Sequence, residues 1–106
     1  MDIDQVKPIV LKYLKKLTKD MSIDKAFIFG SLAQGKASKD SDIDVMILSK
    51  DFNKMDVDER LKILYRKAVG IPFDIHLQAV TPEELKNASP LTSLGTINKS
   101  KTIPLI

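Results

Sequence analysis

The sequence predicts an α/β (α+β) fold, a sheet covered by helices. Two kinds of segment predict it. Residues 26–29 and 45–48 are apolar runs without a polar face, as in strands buried on both sides. Residues 4–19 and 56–69 place apolar side chains at helical spacing, as in helices that cover a sheet.

Taken in order, Ile3, Val6, Ile9, Val10, Tyr13, Leu14 and Leu17 form the apolar stripe of the first helix, and lysines fill most of the rest. Asp2 or Asp4 suits its cap, and Pro8 is near enough to its start to be tolerated. After a connector at 21–24, the strand 25–29 runs into a loop, 30–40. Gly30 and Gly35 let that backbone turn, and a single helical turn is expected from Ser31.

The second strand is expected over 42–49. Side chains two apart on a strand share a face, so Asp42 and Asp44 project together, opposite Ile43, Val45 and Ile47. The helix 56–69 has Asp56 as cap, Val57, Leu61, Leu64 and Ala68 as its buried side, and Gly70 as its stop. Residues 72–80 alternate cleanly: Phe73, Ile75, Leu77 and Ala79 on one face, Asp74, His76 and Gln78 on the other. Thr81-Pro82-Glu83-Glu84 is a capping box with proline at the first helical position, opening a helix that ends near Ala88. Residues 89–100 read as loop-rich, with room for one turn. Residues 102–106 read as a terminal edge strand, because Pro104 suits an edge.

A length of 106 residues sets the expectation of one domain spanning 1–106. A net charge of +3 is too mild to argue for a nucleic-acid surface. With no cysteine, disulfides and thiolate metal sites are excluded. No apolar stretch is long enough for a membrane span, and the N-terminus lacks a signal-peptide layout, which sets the expectation of a cytoplasmic protein.

The chemistry is concentrated in Phe29–Val45, FGSLAQGKASKDSDIDV: a Gly30-Ser31 pair, ten residues, then Asp42-Ile43-Asp44. Two carboxylates side by side repel unless a cation lies between them, and Mg²⁺ or Mn²⁺ suits oxygen donors. Asp74 offers a third carboxylate. If strands two and three are adjacent and in register, the three acids converge, and such a cluster can hold two ions about 3.5–4 Å apart for phosphoryl or nucleotidyl transfer.

A bare Asp-x-Asp is more often a pair of turn acids. Here Asp44 opens four apolar residues, and a buried charge there must be paired or metal-bound. An EF-hand fails, because Val45 and Asp51 stand where glycine and glutamate are required. Gly30 after a strand permits close approach to a ligand, and the following N–H groups can cradle a phosphate. The pair is not a Walker A loop. His76, the sole histidine, fits a hydrogen-bonded structural role better than that of a base or ligand. Lys36 and Lys39 are solvated loop lysines by default, within reach of phosphate oxygens.

The Gly30-Ser31 and Asp42-x-Asp44 pairing resembles the nucleotidyltransferase superfamily that includes DNA polymerase β, and most closely the minimal nucleotidyltransferases found as antitoxin partners of HEPN proteins. The likeness runs over nearly the whole chain. It implies the nucleotidyltransferase fold, a small mixed β-sheet flanked by helices. It implies Gly30 and Ser31 at the triphosphate of ATP or another NTP, and Asp42 and Asp44 as ligands of two Mg²⁺ ions. Asp74 matches the third acid, which binds one metal and helps deprotonate the attacking hydroxyl. In one respect the sequence departs from the pattern: many relatives carry basic residues after the Gly-Ser, where Leu32 and Gln34 stand here, and the nearest base is Lys36.

Two functions follow. The first is transfer of AMP from ATP to a hydroxyl, in the HEPN branch a side chain of the toxin; a small-molecule acceptor of the aminoglycoside type is the variant of this reading. The second is a non-catalytic antitoxin that acts by contact alone. An uncovered sheet edge in a small domain also favours homo- or hetero-association.

Overall fold

The computed structural model describes residues 2–38 and 40–106; Lys39, named above among the loop lysines, lies outside them. The elements are α1 (Ile3–Leu17), β1 (Lys25–Phe29), β2 (Ile43–Leu48), a short 3-10 helix (Lys50–Lys54), α2 (Val57–Lys67), β3 (Ile75–Val80), α3 (Pro82–Lys86), α4 (Ser93–Lys99) and β4 (Ile103–Pro104). The strands form one mixed sheet in the order β3-β2-β1-β4. β1 pairs antiparallel with β2 and β4, and β2 pairs parallel with β3. This is the expected mixed sheet flanked by helices.

β1 and β2 are the two inner strands. Alternation divides their side chains between two cores. Ile28, Ile43, Val45 and Ile47 pack with α1 and with Leu64 of α2. Phe27, Phe29, Met46 and Leu48 pack with Leu85 of α3, with Leu94 and Ile97 of α4 against them. Each such side chain, fully buried, contributes roughly 1.5–3 kcal/mol, so covering both faces is what holds these strands at the centre.

Local chemistry sets the helix ends. Asp2, not Asp4, caps α1 and forms a reciprocal capping box with Gln5. Pro8 lies inside α1 rather than in its first turn, and it is exposed, so the carbonyl it leaves unbonded can be solvated. Tyr13 of α1 donates its hydroxyl to the Leu64 carbonyl of α2 at 2.7 Å, and burial pushes its phenol pKa well above the ordinary value. Thr81 and Glu84 form the expected capping box of α3.

Two expectations are corrected. Val57 is 61% exposed, and the inward place on α2 belongs to Arg60. A buried guanidinium is tolerable only when bonded. Arg60 donates to the carbonyls of Met55 and Ala79 and to Glu84 (2.7 Å), and lies over the Phe52 ring. The second correction concerns 89–100, which holds the seven-residue helix α4, capped by Thr92. Gly95 obscured it, since glycine is a poor helix former. Its role is spatial: a Cβ there would overlap the Ser89 carbonyl oxygen.

The β3 edge is sealed by α2. The Leu77 N–H donates to the Tyr65 hydroxyl at 2.9 Å, and the Ala79 carbonyl accepts from Arg60 at 3.2 Å. At the other edge, β4 is only two residues long and contains Pro104. Both are ways to keep an edge from templating further strands. Among the described residues no helix is long and apolar enough to cross a membrane.

Candidate functional site

β1 ends at Phe29, which pairs with Asp44 of β2. The next residue, Gly30, turns the chain at φ +76°, a conformation L side chains rarely adopt. Its Cα faces the Asp44 carboxylate so closely that a Cβ would overlap Oδ2 and lie 3.1 Å from Cγ. Glycine is therefore required twice at this point, by the dihedral and by the close approach.

Residues 31–35 form the expected turn. The N–H groups of Gln34 and Lys36 donate to the carbonyls of Gly30 and Ser31 at 3.1 and 2.8 Å. Among the described residues, the N–H groups of Ser31, Leu32 and Ala33 donate to no backbone carbonyl, as at the start of a helical turn. Leu32 and Ala33 are buried and pin the turn to the protein, which accounts for an apolar residue directly after the Gly-Ser. Gln34 and Lys36 are exposed.

The acids stand at the starts of two adjacent strands. Asp44 lies within β2, its side chain 21% exposed. Asp42 stands one residue before β2 and Asp74 one residue before β3, both exposed. The Ile43 N–H donates to the Asp74 carbonyl at 2.9 Å, so the parallel ladder continues to the level of these two acids. Adjacency and register are thus as the sequence reading required. Convergence is not complete: among the described residues no three His, Asp or Glu side chains are grouped closely enough to hold a metal ion. By donor type the residues fit a hard divalent cation, since they are carboxylates at the ends of adjacent strands.

The contact that sequence reading did not identify is between His76 and Asp44. They are register partners, and His76 Nδ1 lies 3.0 Å from Asp44 Oδ1. The signal was present: Asp42-x-Asp44 and Asp74-x-His76 have equal spacing, so a parallel pairing that aligns the first members aligns the second. Two cavities border the site. One of about 540 Å³ reaches the Gly-Ser turn through Leu32, Ala33 and Gln34 but none of the three acids. A cleft of about 340 Å³ includes His76, between Val57, Gln78 and Leu94.

A family model of the nucleotidyltransferase domain matches residues 8–101. The chain belongs to this family. The matched span includes the Gly-Ser turn and all three acids. Two solved structures share the nucleotidyltransferase fold of this chain. A candidate nucleotidyltransferase from Sulfolobus solfataricus superposes with a TM-score of 0.70 at 17% identity, over 94% of this chain and 78% of that one. A chain from a toxin–antitoxin structure with AMP-PNP superposes with a TM-score of 0.62 at 23% identity, over 91% of this chain and 72% of that one. No curated protein matches the sequence.

Proposed function

We propose that this protein is a Mg²⁺-dependent nucleotidyltransferase that moves AMP from ATP onto a hydroxyl acceptor, a side chain of a HEPN-type protein partner, and so acts as an antitoxin in the cytoplasm. The observation that carries the enzymatic part is the packing of the Asp44 carboxylate on Gly30 at the end of β1, within the frame of the family. It joins the phosphate-cradling turn to the acid strand at one point. A protein partner is favoured by the likeness to a toxin–antitoxin chain, and ATP by the AMP-PNP in that structure.

In this reading Gly30 and Ser31 hold the triphosphate, with the N–H groups of the turn directed at its oxygens. Asp42, Asp44 and Asp74 hold two Mg²⁺ ions, or Mn²⁺ in their place. When bound, the ions neutralise the charge that develops on the phosphates. The acceptor oxygen forms a bond to the α-phosphorus, the bond from that phosphorus to the β-phosphate bridge oxygen breaks, and pyrophosphate leaves. Asp74 takes the hydroxyl proton. The acceptor approaches along the exposed acids, Asp42 and Asp74.

The test uses ATP labelled on the α-phosphate, with Mg²⁺, in a lysate of the source organism, comparing wild type with Asp44→Asn. Label on one protein band with wild type alone is the expected result. A small-molecule acceptor would place the label in the soluble low-mass fraction instead. No acid-dependent label in any fraction would overturn the enzyme and leave the second reading, an antitoxin acting by contact alone.

A further inference from the structure

We infer that His76 is a positioning residue that orients the Asp44 carboxylate for a role as metal ligand. This rests on the reading of Asp44 as a metal ligand. The Asp44 side chain is held through one oxygen and packed at the other: Oδ1 meets His76 Nδ1 at 3.0 Å, and Oδ2 lies where a Cβ on Gly30 would overlap it. A carboxylate only accepts, so Nδ1 carries the proton and donates. Each carboxylate oxygen has two lone-pair directions, so this bond leaves Oδ1 able to take a cation as well. Hydrogen-bonded support of a ligating group is a general means of orienting it.

The position of His76 is set by the fold rather than by a flexible side chain. Parallel pairing places it directly opposite Asp44, on the same sheet face. Asp42 and Asp74 have no such partner among the described residues, and both are exposed. Of the three acids, Asp44 is the one already oriented, and His76 is what orients it. With the ring 52% exposed, its removal costs little packing.

The experiment measures Mn²⁺ binding by electron paramagnetic resonance for wild type, His76→Ala, His76→Asn and Asp44→Asn, with thermal melting of each. Asparagine can present a donor near the place of Nδ1. The expected result is a roughly tenfold loss of Mn²⁺ affinity in His76→Ala, the scale seen for supporting partners of metal ligands, with recovery in His76→Asn and little change in melting. Because His76 is the sole histidine, its ring signals in NMR are unambiguous, and they should shift in Asp44→Asn. Equal or tighter Mn²⁺ binding by His76→Ala overturns the positioning role and leaves the metal reading standing. Mn²⁺ binding that is absent from wild type, or unchanged by Asp44→Asn, overturns both.

Discussion

At Gly30 one missing side chain serves two purposes. The residue turns at φ +76° and lets the Asp44 carboxylate rest on its backbone. Alanine would meet both the disfavoured dihedral and the carboxylate. Gly30→Ala is therefore expected to lose roughly 1–3 kcal/mol of stability, the usual cost of a strained backbone residue, and to lose label transfer more completely than stability. Urea denaturation and the α-labelled ATP assay check the two effects separately. Normal transfer in a destabilised Gly30→Ala would detach the glycine from the chemistry. The two requirements are unequally legible in sequence. A glycine after an apolar run signals a turn, but the contact with Asp44 depends on the pairing of Phe29 with Asp44, which no local pattern encodes.

Among the elements, Arg60 ties α2 to the β3 edge and to α3. Glu84 receives its guanidinium and also caps α3 through the Thr81 N–H at 2.7 Å. Burial alone would raise the Glu84 pKa; the bonds from Arg60 and Thr81 outweigh it and hold the carboxyl below its ordinary value. A depressed folded-state pKa means that Glu84 stabilises the protein above the ordinary glutamate range and loses that contribution as pH falls through it. Arg60→Ala is expected to cost about 2–4 kcal/mol at neutral pH, since the Met55 and Ala79 carbonyls and Glu84 lose a shared donor. It should also flatten the loss of stability as pH falls below the ordinary glutamate range. Urea midpoints across that range decide it; an acid limb as steep as wild type would remove Glu84 from the account. The apolar spacing pointed to Val57 instead, because periodicity counts hydrophobic side chains and cannot register an arginine that is buried with its Nε and Nη1 bonded.

For the molecule as a whole, the sheet brings three chain segments distant in sequence to one end: the Gly-Ser turn after β1, the start of β2 and the start of β3. A cation bound there would bind the folded chain and not the unfolded one. At a hundred times its dissociation constant it would add about 2.7 kcal/mol, on the order of 10 °C in melting temperature for a domain of this size. Mg²⁺ is therefore expected to raise the melting temperature of wild type, chelation to reverse the rise, and Asp44→Asn to abolish it. An equal rise in the variant would place the cation elsewhere.

What the sequence by itself determined is local. Turn glycines, the capping box at Thr81, helical spacing in α1 and the alternation of β3 are set by neighbours within a few residues, so they can be read from the chain. The strand β1 was legible for the same reason, and so was the family, whose motif lies within one seventeen-residue stretch. Tertiary structure alone decided what depends on pairing between distant segments. The parallel register of β2 with β3 set His76 against Asp44. The path of α2 buried Arg60 and closed the β3 edge. Space beside the Ser89 carbonyl demanded glycine inside a helix. These are long-range contacts whose stabilisation appears only after the loops between them have closed, and the residues that make them carry no local mark of their partners.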